Sequence, residues 1–366
     1  MRILVVNAGS SSLKLRVIDD DDEVTHAADL PAIGRGSGPK EIAAALAECG
    51  EVEAVGHRIV HGGNSFSGSV MVDGDVVSEI TRLVDLAPLH QPMSLAALDA
   101  VTSALPWIPA VACFDTAFHA DLPDEAATYP LPREWRERWG LRRFGFHGLS
   151  HSYAAAKATQ LMGRPVAGTD IVTCHLGAGA SLAAVRSGRS VATTMGFTPL
   201  EGLVMATRSG SIDPGLLLWL TNTVGMSGEE LAKGLEEQSG LLGLAGTADM
   251  REVLTAAEAG SIDARLALEV YLHRLRAGIA AMTASLGGLH GLVFTGGVGE
   301  NSPIVRERAV EGLEYLGPVI DSRRNWENTG DRLISPPNST VQVLVVAARE
   351  DLQIAREVRM LLDQPS

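Results

Sequence analysis

Apolar and polar positions change rhythm repeatedly along the chain. Residues 3–6 form an uninterrupted run rich in β-branched side chains, the pattern of a buried strand. After the small-residue stretch 7–12 a second strand is expected over residues 13–18, followed by an acidic turn at 19–22. Residues 40–48 read as helix, 54–60 as strand, 80–86 and 94–104 as helices, and 108–114 as another buried strand. The order strand, small-residue turn, strand returns at 171–174, 175–180 and 181–185. Farther on, strands are expected at 292–295 and 341–347, and helices at 264–286 and 351–362. Strands interleaved with helices predict an α/β fold. The loose likeness of residues 7–12 to 175–180 is what a duplicated nucleotide-binding domain would leave behind, although periodicity alone does not establish a repeat.

At 366 residues the chain is too long for one ordinary core and reads as two domains. Aromatic residues make up only 4%, so packing falls to Leu, Val, Ile and Ala. The 39 glycines cluster in short runs, which suggests loops approaching a ligand. With 30 basic against 44 acidic residues the net charge is −14, which disfavours nucleic acid and membrane surfaces as partners. An anionic ligand would therefore need local basic residues to capture it. Cys49, Cys113 and Cys174 lack paired spacing, which points to a reducing compartment and away from a disulfide framework or zinc knuckle. Asn7 interrupts the first apolar run too early for a signal peptide, and no stretch of about 18 apolar residues occurs. The expectation is a soluble, cytoplasmic protein.

Glycine-rich segments follow strands at 7–12, 175–179 and 296–301. Such turns let backbone N–H groups converge on phosphate oxygens. One alone is weak; three shift the reading towards a nucleotide. The P-loop pattern is missing, as is a complete dinucleotide fingerprint. Arg58 and Arg208 are flanked by small residues, so their planar forks could reach a carboxylate or phosphate, whereas an arginine taken at random is a surface residue. His57/His61 and His147/His151 have a spacing that can bind zinc on a helix, yet neither pair has the accompanying Glu, and both sit among glycines where a long helix is not expected. Structural or substrate-contacting histidines fit better. Asp115 ends a strand, where open α/β sheets place functional groups; capping the following turn is its plainer role.

Several segments together resemble the acetokinase family, the acetate and propionate kinases. They are Asn7-Ala8-Gly9-Ser10-Ser11-Ser12-Leu13-Lys14, Gly56-His57-Arg58, Phe114-Asp115-Thr116-Ala117-Phe118-His119 and Gly145-Phe146-His147-Gly148. Met195-Gly196-Phe197-Thr198-Pro199-Leu200-Glu201-Gly202 and Gly297-Val298-Gly299-Glu300-Asn301 complete the set, in the family's order from Met1 to about Arg356. The resemblance implies two duplicated α/β domains of the actin/Hsp70/sugar-kinase (ribonuclease H-like) type, with a nucleotide cleft between them. Residues 1–119 with 352–366 would form the N-terminal domain, and 120–351 the C-terminal domain that binds nucleotide and dimerises.

By the same resemblance the protein would be a homodimeric, Mg²⁺-dependent kinase, with Mn²⁺ as a substitute ion. It would convert acetate and ATP reversibly to acetyl phosphate and ADP. Asp115, His147 and Arg208 match catalytic positions; Arg58, Val60, Leu89, Phe146 and Pro199 match substrate-binding ones. Ser10, Ser12, Lys14, His175, Leu176, Gly177, Ala178, Gly179, Asp249, Met250, Arg251, Gly297, Val298, Gly299, Glu300 and Asn301 match nucleotide-binding positions, and Asn7 and Glu350 the metal site. Three residues depart from the family pattern: Ala178, Gln91 and Arg349 each stand where Asn is usual. The segment between Asp19 and Glu51 is also short. Other readings are a propionate-preferring or pyrophosphate-dependent enzyme of the same family, a non-catalytic ATP-binding switch of the actin/Hsp70 type, and a zinc hydrolase.

Overall fold

The computed structural model describes residues 1–9, 12–33, 36, 38–88, 90–327 and 330–363, with Pro39 as backbone only. The chain divides into two compact units. Residues 1–121, 146–153 and 349 onward form the first; 122–145 and 154–348 form the second.

The first unit is built on strands β1 (Ile3–Ala8), β2 (Ser12–Ile18), β3 (Val24–Pro31), β4 (Ala54–Ile59), β5 (Val70–Met71) and β6 (Ala110–Phe114), in the order β3-β2-β1-β4-β6-β5. β1, β4 and β6 run parallel at the centre; β2, β3 and β5 pair antiparallel. The second unit holds β7 (Asp170–Leu176), β8 (Ala180–Arg186), β9 (Arg189–Thr193), β10 (Gly291–Thr295), β11 (Arg332–Leu333) and β12 (Gln342–Val345), in the order β11-β12-β10-β7-β8-β9. Its central parallel trio is β7, β10 and β12, again with antiparallel flanks. Strand for strand the two sheets have one topology, so the chain is a duplication and the α/β expectation holds.

The sheets form where the apolar runs lie. In the first unit Leu4, Val6, Leu13, Leu15, Val17 and Val55 share a core with Ile42 of helix Pro39–Glu48 and with Ala97 and Val101 of helix Gln91–Ala104. The opposite face takes helix Glu350–Leu362. That helix comes so close to β4 that a Cβ on Gly56 would stand 2.4 Å from Ile354 Cγ2. Only glycine admits this approach.

Four strands escape the apolar-run reading: β3, β5, β9 and β11. They are short or half exposed (β3 alternates exposed and partly buried along its length), so they carry no continuous hydrophobic signal. The helix expected at 80–86 starts earlier, at Gly74. There the Asp73 carboxylate accepts from the Val76 amide, and the helix ends at Arg82 before a separate 3₁₀ turn, Val84–Leu86. The third glycine-rich segment is a short helix, Gly296–Asn301, rather than a turn. Gly148–Leu161 is also helical despite its glycine and histidine start. No helix among the described residues is long and apolar enough to cross a membrane.

Candidate active site

Side chains alternate across a strand, so Asn7, Arg58 and Asp115 fall on the same face of the first sheet, the face covered by helix Glu350–Leu362. All three lie at the carboxyl ends of the parallel strands, where open α/β sheets present their chemistry. Arg58 donates to Asp115 through Nε (3.1 Å) and Nη2 (2.5 Å), a planar two-point pairing. Its Nη1 donates to Asn7 Oδ1 at 3.1 Å, and the Asn7 amide donates to Glu350 Oε2 at 3.0 Å. Glu350 Oε2 also stands 3.6 Å from Arg58 Nε. Lys14 lies opposite Asn7 on β2, exposed.

Burial sets the electrostatics of this cluster. The Asp115 side chain is 1% exposed and that of Arg58 15%. Burial pushes the Asp115 carboxyl up to about 6, against the pull of Arg58 and with an added push from Glu350. Burial also works against the charge on Arg58, but Asp115 and Glu350 outweigh it and hold the guanidinium above its ordinary value. Arg58 is therefore a fixed, permanently charged group. Both Asp115 oxygens accept from Arg58, and the short helix Ala117–His119 that follows has no side-chain cap.

His147 adopts φ 56°, a left-handed conformation rare outside glycine, at the entrance to helix Gly148–Leu161. The helix is anchored beside the cluster by the Gly148 amide, which donates to the Asp115 carbonyl at 2.8 Å. The paired histidines part company. His57 is interior to β4 with neither ring nitrogen hydrogen-bonded, and burial lowers its pKa to about 4. His61 Nδ1 accepts from the Gly63 amide, and its ring meets Phe146 edge-on at 5.2 Å. Val60 and Phe146 are buried. Among the described residues no three His, Cys, Asp or Glu side chains are grouped to hold a metal ion.

In the second unit the Arg208 segment is fastened to the middle glycine turn. The Ala206 amide donates to the Ala178 carbonyl at 3.1 Å, and Gly177 N donates to Gly179 O at 2.9 Å. Arg208 Nη1 donates to the Pro199 carbonyl at 3.1 Å, and burial lowers the pKa of Arg208. His175 is the penultimate residue of β7, before Leu176, which is buried. Asp249 caps helix Met250–Glu258, and Arg251 folds back onto it, Nη2 to Oδ2 at 2.5 Å. Met250 is buried. In the Gly296–Asn301 helix, Asn301 donates to the Gly297 carbonyl, and Glu300 accepts from the Ala348 amide at 2.9 Å.

The acetokinase family model matches residues 40–356. The chain belongs to the acetokinase family. It is 45% identical over 356 residues to the acetate kinase of Rippkaea orientalis, covering 97% of this chain and 87% of that protein. Among solved structures it resembles Porphyromonas gingivalis acetate kinase at 35% identity, with a TM-score of 0.90 over 99% of both chains. It also resembles a propionate kinase from Francisella tularensis at 36% identity and TM-score 0.89, covering 97% and 98%.

Two of the three departures from the acetokinase pattern are accounted for locally. Gln91 is buried and reaches the His61 backbone at both ends, accepting from its amide at 3.1 Å and donating to its carbonyl at 2.9 Å. Arg349 folds onto Asp351 at 2.9 Å. Ala178 contributes its backbone carbonyl, as above. Ser10 and Leu89 lie outside the described residues; Ser12 opens β2, its carbonyl accepting from Gly9 N at 2.8 Å.

Sequence reasoning passed over Arg306. This buried arginine donates to the Gly299 and Glu300 carbonyls at 2.9 and 2.8 Å and to Asn325, pinning the end of the Gly296–Asn301 helix. Its signal was an arginine sharing the buried stripe of helix Pro303–Val310 with Val305 and Ala309. A cavity of about 900 Å³ in the second unit, lined by residues such as His273, Arg274 and Tyr315, contains none of the candidate residues. Buried polar groups in fixed geometry, the mark of a functional site, lie in the charged cluster of the first unit.

The Asn7 carboxamide and the Glu350 carboxylate are hard oxygen donors. As a partial set they suit Mg²⁺, which keeps water and takes phosphate oxygens for the rest of its shell.

Proposed function

We propose that this chain is an acetate kinase of the cytoplasm, transferring the γ-phosphoryl group of ATP reversibly to acetate. The observation that carries the reading is the Asn7–Arg58–Asp115–Glu350 cluster, a charge-fixing constellation at the strand ends of an acetokinase-family chain. Acetate has a pKa near the carboxylate value of about 4, so at neutral pH the nucleophile is already ionised and needs no strong base. The task is to let two anions meet in a protein of charge −14. Arg58 holds the acetate carboxylate, and Asp115 aims Arg58. Arg208 and His147 stabilise charge on the transferring group. Asn7 and Glu350 would hold Mg²⁺, which when bound would neutralise charge on the phosphates. Lys14, Ser10, Ser12, the 175–179 turn, residues 249–251 and the 297–301 segment serve the nucleotide.

Val60, Leu89, Phe146 and Pro199 serve the acyl group of the substrate. One extra methylene changes apolar transfer by about 1 kcal/mol, so acetate is preferred over propionate by a modest factor. A propionate-preferring enzyme is the second reading, favoured by the likeness to the Francisella propionate kinase. Exposed Leu216, Leu218, Trp219, Val224, Ile262 and Leu266 of the second unit support a homodimer.

The test is to incubate the protein with ATP, Mg²⁺ and acetate and trap acyl phosphate with hydroxylamine, then repeat with propionate, with pyrophosphate and with chelator. Hydroxamate with acetate exceeding that with propionate, lost on chelation and restored by Mg²⁺, is the expected result. No hydroxamate from any acid removes the kinase reading.

A further inference from the structure

In the second unit, the segment from Thr194 to Gly202 contains Pro199, whose carbonyl accepts from Arg208. Three side chains without a role so far hold that segment. Arg143 Nη1 donates to the Thr194 and Met195 carbonyls, each at 3.0 Å, while its Nη2 donates to Glu201 Oε1 at 2.7 Å. One guanidinium thus ties the start of the loop to its end. The Tyr129 hydroxyl donates to the other Glu201 oxygen at 2.5 Å and accepts from the Phe197 amide at 2.9 Å. The Arg143 guanidinium also lies over the Tyr129 ring, 5.4 Å from its centre. The Phe144 and Gly145 amides donate to the Gly196 carbonyl.

The fit leaves no slack. A Cβ at Gly196 would stand 1.9 Å from Glu201 Oε2 and 2.2 Å from the Tyr129 hydroxyl, so residue 196 has to be glycine for the three groups to close. Burial, helped by Glu201, pushes the Tyr129 phenol above its ordinary value, so the hydroxyl keeps its proton and its donor direction. Each Glu201 oxygen faces its own donor, a demand that a carboxylate meets and an amide does not.

We propose that Tyr129, Arg143 and Glu201 form a latch that fixes the 194–202 loop and, through the Pro199 carbonyl, sets the reach of Arg208. They are positioning residues, and the inference rests on the acyl-kinase reading for its effect on turnover. Nothing in the latch addresses the nucleotide segments, so its loss separates the two substrates.

Three variants test it: Glu201→Gln, Tyr129→Phe and the double change. Each single variant should lower kcat/KM for acetate about 10- to 100-fold, through misplacement of groups near the reacting atoms. KM for ATP should stay within about two-fold, and the ratio of acetate to propionate turnover should move. The double variant should be no worse than about three-fold below the poorer single one, because both break one unit. Amide hydrogen exchange over residues 195–202 should quicken in every variant while the melting temperature changes little. Wild-type kinetics in both single variants would overturn the latch, as would equal losses towards ATP and acetate that track a falling melting temperature. If the wild-type protein phosphorylates no acid, the kinase reading fails separately. Hydrogen exchange still decides the latch in that case, since unchanged protection at 195–202 in Glu201→Gln refutes it.

Discussion

The two sheets share one topology and differ at their carboxyl edges. Each begins with a hairpin whose last pair is Ala8 with Leu13 in one and Leu176 with Ala180 in the other. Aligned there, Asn7 corresponds to His175 and, counting along the ladders, Arg58 to Thr295 and Asp115 to Ala348. At the first edge a carboxamide, a guanidinium and a carboxylate interlock below the surface. At the second, those positions carry an imidazole, a hydroxyl and a methyl group, and glycines 177, 179, 296, 297 and 299 bring the backbone forward. Duplication supplied a frame that delivers strand ends to a surface. Divergence then gave one edge fixed side-chain charge and the other a bare main chain. The first suits a small carboxylate that must be neutralised; the second suits a phosphate chain, which backbone N–H groups can line without side-chain bulk.

The largest effect should follow from truncating the charged edge. Arg58→Ala should lower kcat for acetyl phosphate formation about 10³-fold. It also leaves Asp115 buried without its partner, costing about 3 kcal/mol of stability, which urea unfolding reads independently of turnover. The matching change in the other sheet, Thr295→Ala, removes a buried hydroxyl that has no hydrogen-bond partner and should leave kcat within about two-fold. Equal losses from the two substitutions would break the division of labour. Arg208→Ala should likewise lower kcat far more than it raises KM for acetate if, as proposed, its charge acts on the transferring group. Near-normal turnover in that variant takes Arg208 out of the mechanism.

A second contrast lies one residue back along the strands, where His57 of the first sheet corresponds to Phe294 of the second. Both are buried. The His57 pKa is lowered to about 4 by burial, from an ordinary value near 6.5. Below pH 6.5 the unfolded chain therefore takes up a proton that the folded chain refuses. Stability falls as the pH drops from about 6.5 to about 4, by about 3 kcal/mol at the lower limit. His57→Phe copies the second sheet and should remove that share of the acid sensitivity. His119, lowered to about 4 for the same reason, keeps its own share. Urea midpoints at pH 7 and pH 4.5 measure the difference, and an unchanged gap between them in the variant refutes the assignment.

What could be read from the sequence follows from the same physics. The central strands of both sheets announce themselves as apolar runs because both of their faces are covered. The edge strands β3, β5, β9 and β11 do not, since they are short or half exposed and bury no continuous apolar run. Gly56 shows why the fold outruns its pattern. Its requirement comes from Ile354, almost 300 positions away, and no local rule reports it. The matching of residues 7–12 to 175–180 fails by one position, because the first hairpin closes over four residues and the second over three. The members of the charged cluster were singled out by strand-end position and by resemblance. Arg306 and the Tyr129–Arg143–Glu201 group were missed because their partners are main-chain groups and side chains far along the chain, which local sequence pattern does not report.

The smallest effect is the most selective. If the second edge works through its backbone, removing side chains there should matter less than adding them. Gly297 is exposed, and a Cβ built on it meets nothing within 4 Å, so a larger residue fits the fold without displacing a neighbour. The new side chain would occupy the space through which a phosphate chain approaches the main chain. Gly297→Val should therefore leave the melting temperature nearly unchanged and kcat with saturating ATP close to normal, while raising KM for ATP about 10-fold, the equivalent of about 1.4 kcal/mol. Asn301→Ala removes a side chain whose amide serves the Gly297 carbonyl of its own helix, and should raise that constant only about two-fold. A reversed order, with Asn301→Ala the more damaging, would mean that the second edge also recognises its ligand through side chains. The two edges would then differ in which groups they carry and not in how they bind.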